Sequence, residues 1–267
     1  MTTKIIRPAF IGAEGIIAVG KSTLAKRLAK TLGFALINEL DDKTNPYLGP
    51  FYEEVIEGDA VRRAGAEFHR KLIALEAENK NGVSADNVVR LFQETYDQMP
   101  HKEIAIKMQW FLLVHRYLQH FSANLRLLSH EEGSIIDRTI YGDTVFVRML
   151  VKSGRISQFD ADLTYFKAFD TMLLNLTSPD LIIFLDITPE NALKRCIKMR
   201  GRDVESKLNV EYLRALQEEY EHMLRRLAGT IKILRIDWNC DRDIANGDIN
   251  DVIGAIKKAL PEKVVGS

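Results

Sequence analysis

The stretch from Glu14 to Thr23, EGIIAVGKST, constrains the chain more than any other. It fits G-x-x-x-x-G-K-[ST]: Gly15 and Gly20 bracket a loop, Lys21 and Ser22 close it, and the apolar run Ala9-Phe10-Ile11 precedes it. Strand, loop, helix is the order this implies. A phosphate chain needs many donors on a tight concave surface. Glycines let the backbone N–H groups turn inward, and the following helix adds the partial positive charge of its N-terminus. Gly15, Gly20, Lys21, Ser22 and Thr23 are thus the candidate holders of ATP. Lys21 faces the β and γ phosphates, and the Ser22 hydroxyl takes a place on Mg²⁺. The competing reading is a glycine-bearing strand-to-helix turn with no ligand, and the apolar run before the loop argues against it.

At 267 residues and 46% hydrophobic content, the chain is long enough for one large core, and a single domain over 1–267 is the simpler expectation. Lys plus Arg and Asp plus Glu each number 37, so no global field draws the chain to nucleic acid or to an anionic membrane. The start MTTKIIRPAF has no apolar signal-peptide core, and no later run has membrane-spanning length, which points to a cytoplasmic protein. Cys196 and Cys240 lack zinc-site spacing and receive no role.

Along the chain, Ser22 to Thr31 reads as a helix ended by Gly33, and Phe34 to Ile37 as a short buried strand delivering Asn38-Glu39 to its tip. Asp41 to Pro50 reads as loop. Helical spacing runs from Phe51 to about Asn79 and from Ala85 to Tyr96, so that about 51–100 forms an enlarged helical segment. Glu103 to Leu128 is apolar nearly all round, and such a helix must be covered on several sides. Strands follow at Ile135-Ile136, Leu181 to Leu185 and Ile231 to Ile236. Helices follow at Pro189, at Val210 to Leu227 and at Asn250 to Leu260. Short apolar strands alternating with helices predict an α/β fold, a five-stranded parallel sheet flanked by helices, with ligands at the strands' carboxyl ends.

That rule lines up the loop, Glu39 and Asp137-Arg138. Phosphoryl transfer to a hydroxyl needs a base for the acceptor proton and cations for the transferring oxygens. Glu39 is the candidate base, against a solvated strand-end acid. Asp137 offers a carboxylate for Mg²⁺ or its waters, and Arg138 a guanidinium for phosphate oxygens. Arg195, Arg200 and Arg202 form either a lid over the phosphate or a solvated basic helix end. Gln109 and Arg116, seven apart, share one face of the apolar helix, where their partners are either a ligand edge or the core.

In this order the residues resemble the deoxyribonucleoside kinases almost end to end. EGIIAVGKST is similar to that family's phosphate loop, Glu39 to its catalytic Glu, Gln109 and Arg116 to its base-reading pair, DRTIYGD (137–143) to its DRS block with the trailing Asp143, and RGRDVE to its arginine lid. The resemblance implies a P-loop kinase fold with an arginine lid, in which Arg200 and Arg202 meet the nucleotide and Tyr96 and Glu205 hold the sugar 3′-hydroxyl. Gln109, Arg116 and Asp143 then read the base. It also implies a homodimer through long helices, and the enlarged helical segment is expected to add a second interface that pairs dimers into a tetramer. Departures are Leu40 where the family usually has proline, Arg195 five rather than four before Arg200, a wider spacing from Tyr96 to Gln109, and some two dozen extra residues between Glu39 and Gln109.

The expected activity is transfer of the ATP γ-phosphate to a deoxynucleoside 5′-hydroxyl, with deoxyadenosine first. A thymidylate-type monophosphate kinase would want an arginine beside the Glu, where this chain has Asn38. A switch GTPase would want N-K-x-D, and Asn79-Lys80 continues as Asn81-Gly82. A non-catalytic, kinase-like subunit of a larger assembly would have shed part of the loop or the base, and neither is missing.

Overall fold

The computed structural model describes residues 6–17, 19–39, 47, 59–78, 84–96, 104–199, 209–239 and 248–260. Five strands, β1 (Phe10–Glu14), β2 (Ala35–Ile37), β3 (Ser134–Asp137), β4 (Leu181–Asp186) and β5 (Ile233–Asp237), form one sheet in the order β2-β3-β1-β4-β5. Every pairing is parallel, with Ile11 opposite Ile135 on one side of β1 and Leu181 on the other. Parallel strands covered on both faces should be apolar throughout, and the first five residues of β4 and all of β1 are buried.

The chain divides into two compact units. The first, residues 1–39, 122–142 and 178–267, holds the whole sheet together with α1 (Lys21–Leu32), the last turns of α4 (Ile104–His130), α7 (Pro189–Met199), α8 (Val210–Leu227) and α9 (Asp248–Ala259). Leu24, Ala25, Leu28, Ala29 and Leu32 bury one stripe of α1, and Gly33 ends it in the left-handed conformation at φ 69°. Phe10, Ile136 and Ala123 pack with Ile37 and Leu127 between sheet and helix. The Asp180 side chain accepts from the Phe10 amide at 2.9 Å and pairs with Arg7, which fixes the entry to β1.

The second unit, residues 40–121 and 143–177, holds α2 (Asp59–Glu78), α3 (Ala85–Tyr96), the first two-thirds of α4, most of α5 (Ile140–Lys152) and a helical stretch, α6. α6 runs from Gln158–Asp160 through the π-helical turn Ala161–Phe166 into Lys167–Leu173. Phe68 packs edge-on to Trp110, with ring centres 4.5 Å apart, and joins α2 to α4.

The fold meets the expected class and strand number, with differences of detail. The fifth strand starts at Ile233 rather than Ile231, because the Ile231 amide bonds back to the Leu227 carbonyl at 2.8 Å and closes the end of α8. Helices α5 and α6 fill a stretch for which the sequence reading assigned no element. Of the enlarged segment at about 51–100, the breaker Asn81-Gly82 lies outside the described residues. None of the helices among the described residues is long and apolar enough to cross a membrane.

Candidate active site

In the first unit, three strand ends bring carboxylates and cations together. Gly15, at φ 150°, turns the chain out of β1, where an added Cβ would lie 3.1 Å from the Leu185 carbonyl oxygen. Gly20, at φ 95°, caps α1, and Lys21 lies in the first turn. The Lys21 ammonium folds back onto the loop and donates to the carbonyls of Gly15 and Ile16, each at 3.0 Å. Burial first, then the Arg138 charge, pull its pKa down from 10.5 to about 7, against the carboxylates of Glu39, Asp137 and Glu14. Ser22 and Thr23 are exposed on the first turn of α1.

Arg138 follows β3 with φ 70°, a backbone conformation rare for a residue with a side chain. Its amide donates to the Ala13 carbonyl at 3.0 Å, its Nε to Glu39 Oε1 at 3.1 Å, and its guanidinium also to the Tyr220 hydroxyl. Arg138 is 6% exposed and Glu39 34%, so this pair is shielded on one side and open on the other. Burial opposes the guanidinium's charge, yet Tyr220, Glu39, Glu14 and Asp137 around it hold its proton more firmly than that of an exposed arginine. Asp137 is buried beside it.

Glu14 and Tyr220 belong to this group although the sequence reading gave them no role. Glu14 is fully buried, and its Oε1 accepts from the Thr139 amide at 2.7 Å and from the Thr139 hydroxyl at 2.6 Å. A Cβ on Gly142 would stand 2.5 Å from Glu14 Oε2, so the carboxylate lies directly on the first turn of α5. Burial raises its pKa, while Arg138 and the bonds from Thr139 oppose the shift. The signal available in the sequence was a charged residue ending an otherwise apolar strand.

In the second unit, α4 presents Gln109 and Arg116 on one buried face. Gln109 Oε1 has no hydrogen-bond partner among the described residues, so its orientation is not explained by the core. Arg116 donates to Gln119 Oε1 at 3.4 Å. Asp143, buried in the first turn of α5, accepts from the hydroxyl of the fully buried Tyr165 at 2.6 Å. Burial, then the Asp143 carboxylate, keep the Tyr165 hydroxyl firmly protonated, against the nearby Arg116. Nothing in the spacing of the sequence pointed to Tyr165.

Tyr96 ends α3, but its side chain lies outside the described residues, as do Arg200, Arg202 and Glu205 altogether. Arg195, grouped with the lid arginines in the sequence, instead donates to the Trp238 carbonyl at 2.8 Å. Among the described residues no three His, Cys, Asp or Glu side chains could cage a metal. Mg²⁺ takes one or two carboxylates and completes its shell with phosphate oxygens and water, so the exposed Ser22 hydroxyl and the buried Asp137 carboxylate suit it as hard donors.

A glycine loop that ends in Lys21 and Ser22 at the carboxyl edge of a parallel sheet, with an arginine and carboxylates at the neighbouring strand ends, defines a P-loop kinase fold. A solved structure of deoxyadenosine kinase from M. mycoides with bound dCTP superposes with a TM-score of 0.62 at 21% identity, over 93% of this chain and 99% of that one. The model of the deoxynucleoside kinase family matches residues 11–59 and 66–261. A deoxyadenosine kinase of Dictyostelium discoideum is 30% identical over 236 residues, 88% of this chain and 75% of the relative. A deoxyguanosine kinase of the same organism is 29% identical over 244 residues, 91% of this chain and 67% of the relative. The chain belongs to the deoxynucleoside kinase family and is an ATP-dependent phosphotransferase.

Proposed function

We propose that the protein is a deoxynucleoside 5′-kinase whose first substrate is deoxyadenosine, with deoxyguanosine and deoxycytidine behind it and thymidine poorest. The observation that carries the base preference is the buried Gln109 amide, whose Oε1 lacks a partner among the described residues, on the same unit as the Asp143 carboxylate. A glutamine amide can accept from an exocyclic amine and donate to the adjacent ring nitrogen, and a carboxylate only accepts. Adenine offers an amine at N6, whereas thymine O4 would face a lone pair. An unpaired buried acceptor costs about 1–3 kcal/mol, or roughly ten- to a hundredfold in kcat/KM. The names of the two Dictyostelium relatives, a deoxyadenosine kinase and a deoxyguanosine kinase, support a purine deoxynucleoside as the first substrate.

In this reading Glu39 takes the 5′-hydroxyl proton, and Arg138, held 3.1 Å from it, moves to the 5′-oxygen or the transferring phosphate. Lys21 leaves the loop carbonyls for the β and γ phosphates, and Gly15, Gly20, Ser22 and Thr23 line that end. Ser22 and Asp137 would hold Mg²⁺, which would supply charge neutralisation on the phosphates. Arg200 and Arg202 close over the phosphates, and Tyr96 and Glu205 hold the 3′-hydroxyl. Leu125 and Leu128 on α4 are 48% and 68% exposed, which supports a homodimer through that helix; the tetramer through the 51–100 segment and the cytoplasmic location complete the reading. Measuring kcat/KM for the four deoxynucleosides tests the substrate order, and thymidine at the top would overturn it. Light scattering that gives a monomer at micromolar concentration would overturn the dimer.

A further inference from the structure

Asp143 selects an amine only while it remains an acceptor turned the right way. A buried carboxylate does not keep that state unaided. In an apolar setting it can take up a proton and become a donor able to meet a carbonyl oxygen, or turn about χ2 and withdraw its lone pairs from the amine. Something must hold both its charge and its aim.

The structure places Tyr165 among the groups that can do so. Tyr165 is fully buried and donates its hydroxyl proton to Asp143 Oδ2 at 2.6 Å. The ring itself is fixed: it stacks on Phe169 with centres 6.4 Å apart and meets Phe166 edge-on at 5.4 Å, while Phe166 lies under the Arg148 guanidinium at 4.9 Å. Tyr165 also stands in the six-residue π-helical turn Ala161–Phe166. Such turns are poorer in hydrogen-bond geometry than the α-helix on either side, and they recur at functional sites. Here the neighbouring Thr164 hydroxyl donates to the Asp160 carbonyl at 2.6 Å and supports the widened turn.

We propose that Tyr165 is a positioning residue for base specificity: by donating to Oδ2 it holds Asp143 as a pure acceptor, so that adenine, which offers an amine at that edge, is preferred over thymine, which offers a carbonyl. The proposal rests on the reading that Asp143 reads the base. Tyr165 itself touches no substrate in this account, and its effect passes entirely through the carboxylate.

The test compares Tyr165→Phe and Asp143→Asn with the wild type, using deoxyadenosine and thymidine as the two substrates. For Tyr165→Phe the ratio of kcat/KM for deoxyadenosine to that for thymidine should fall about tenfold, the worth of one buried hydrogen bond to a charged group. The loss should lie mainly in the KM for deoxyadenosine, and 4-aminophenylalanine at position 165, which keeps a donor at the same place, should restore the ratio. If Tyr165→Phe keeps the wild-type ratio while Asp143→Asn loses it, the proposal fails and the base reading stands. If Asp143→Asn keeps the ratio, the base reading itself fails and takes the proposal with it. Should Tyr165→Phe not fold, the wild type still decides: a downfield, slowly exchanging hydroxyl proton seen by NMR and lost in Asp143→Asn supports the bond, and its absence overturns the proposal.

Discussion

Replacing Glu14 by glutamine changes one oxygen to an amide nitrogen at a site with no room to adapt. Oε1 keeps its place as acceptor for the Thr139 amide and hydroxyl at 2.7 and 2.6 Å, but both bonds lose the assistance of the carboxylate's charge. Bonds to charged groups are worth about 1.5–3 kcal/mol and neutral ones about 0.5–1.5, and because the two bonds share one acceptor oxygen and do not add, this change alone costs about 1 kcal/mol or somewhat more. The new NH₂ stands where Oε2 was, an atom with no hydrogen-bond partner among the described residues and pressed against Gly142. A buried donor left unpaired costs a further ~1–3 kcal/mol. The sum, about 2–4 kcal/mol, lowers the melting temperature by roughly 4–16 °C in a chain of this size. Thr139 is also the residue after Arg138, whose backbone is held at φ 70°, so loosening it disturbs the aim of that guanidinium and lowers kcat about tenfold. Calorimetric melting and steady-state kinetics on the same preparation measure both. A melting point within about 2 °C of wild type would mean that Glu14 already carries a proton in the folded protein, where the amide merely replaces an acid, and would refute the charge-assisted account.

Further outcomes follow from Glu39 and Lys21 at the same site. Glu39→Gln should keep the fold and ATP binding while kcat falls by roughly 10² to 10⁴, and a variant with more than half the activity would remove Glu39 from the base role. Because the Lys21 pKa in the unliganded fold is lowered from 10.5 to about 7, the unfolded chain holds that proton and the folded one does not between those values, so this group's contribution to stability rises with pH across that window and is lost below about pH 7. Phosphate binding restores the charge, and ATP binding at pH 8 should therefore take up close to one proton, and at pH 6 almost none. Titration calorimetry in buffers of different ionisation enthalpy reads this directly, and equal heats in all buffers at pH 8 would rule it out.

The parts of the fold that the sequence announces are those in which local pattern and tertiary role coincide. Gly33 ends α1 because a left-handed residue is needed there, and α8 begins and ends at Val210 and Leu227 as its periodicity indicates, with Asn209 capping the Tyr212 amide at 2.8 Å. The strands around β1 are short apolar runs, as two covered faces require. The roles of Glu14, Tyr165 and Tyr220 were hidden for the opposite reason. Their partners lie 125, 22 and 82 residues away, and no period or spacing encodes a contact over such distances. The π-helical turn in α6 was hidden as well, since Ala161, Thr164, Tyr165, Ala168 and Phe169 show the ordinary i, i+3, i+4 apolar spacing of an α-helix.

The sheet order has a consequence for how the chain comes off the ribosome. β1 sits between β3 and β4, and the Phe10 amide reaches the Asp180 side chain, 170 residues further on. At a synthesis rate of about 5–20 residues per second, the apolar stretch Phe10–Ala13 waits roughly ten to thirty seconds without the second of its two neighbouring strands. Closing so long a segment is entropically slow as well. The nucleotide loop is therefore made well before the last strand that shapes it, and through that interval β1 keeps at least one unpaired edge open to pairing with another chain.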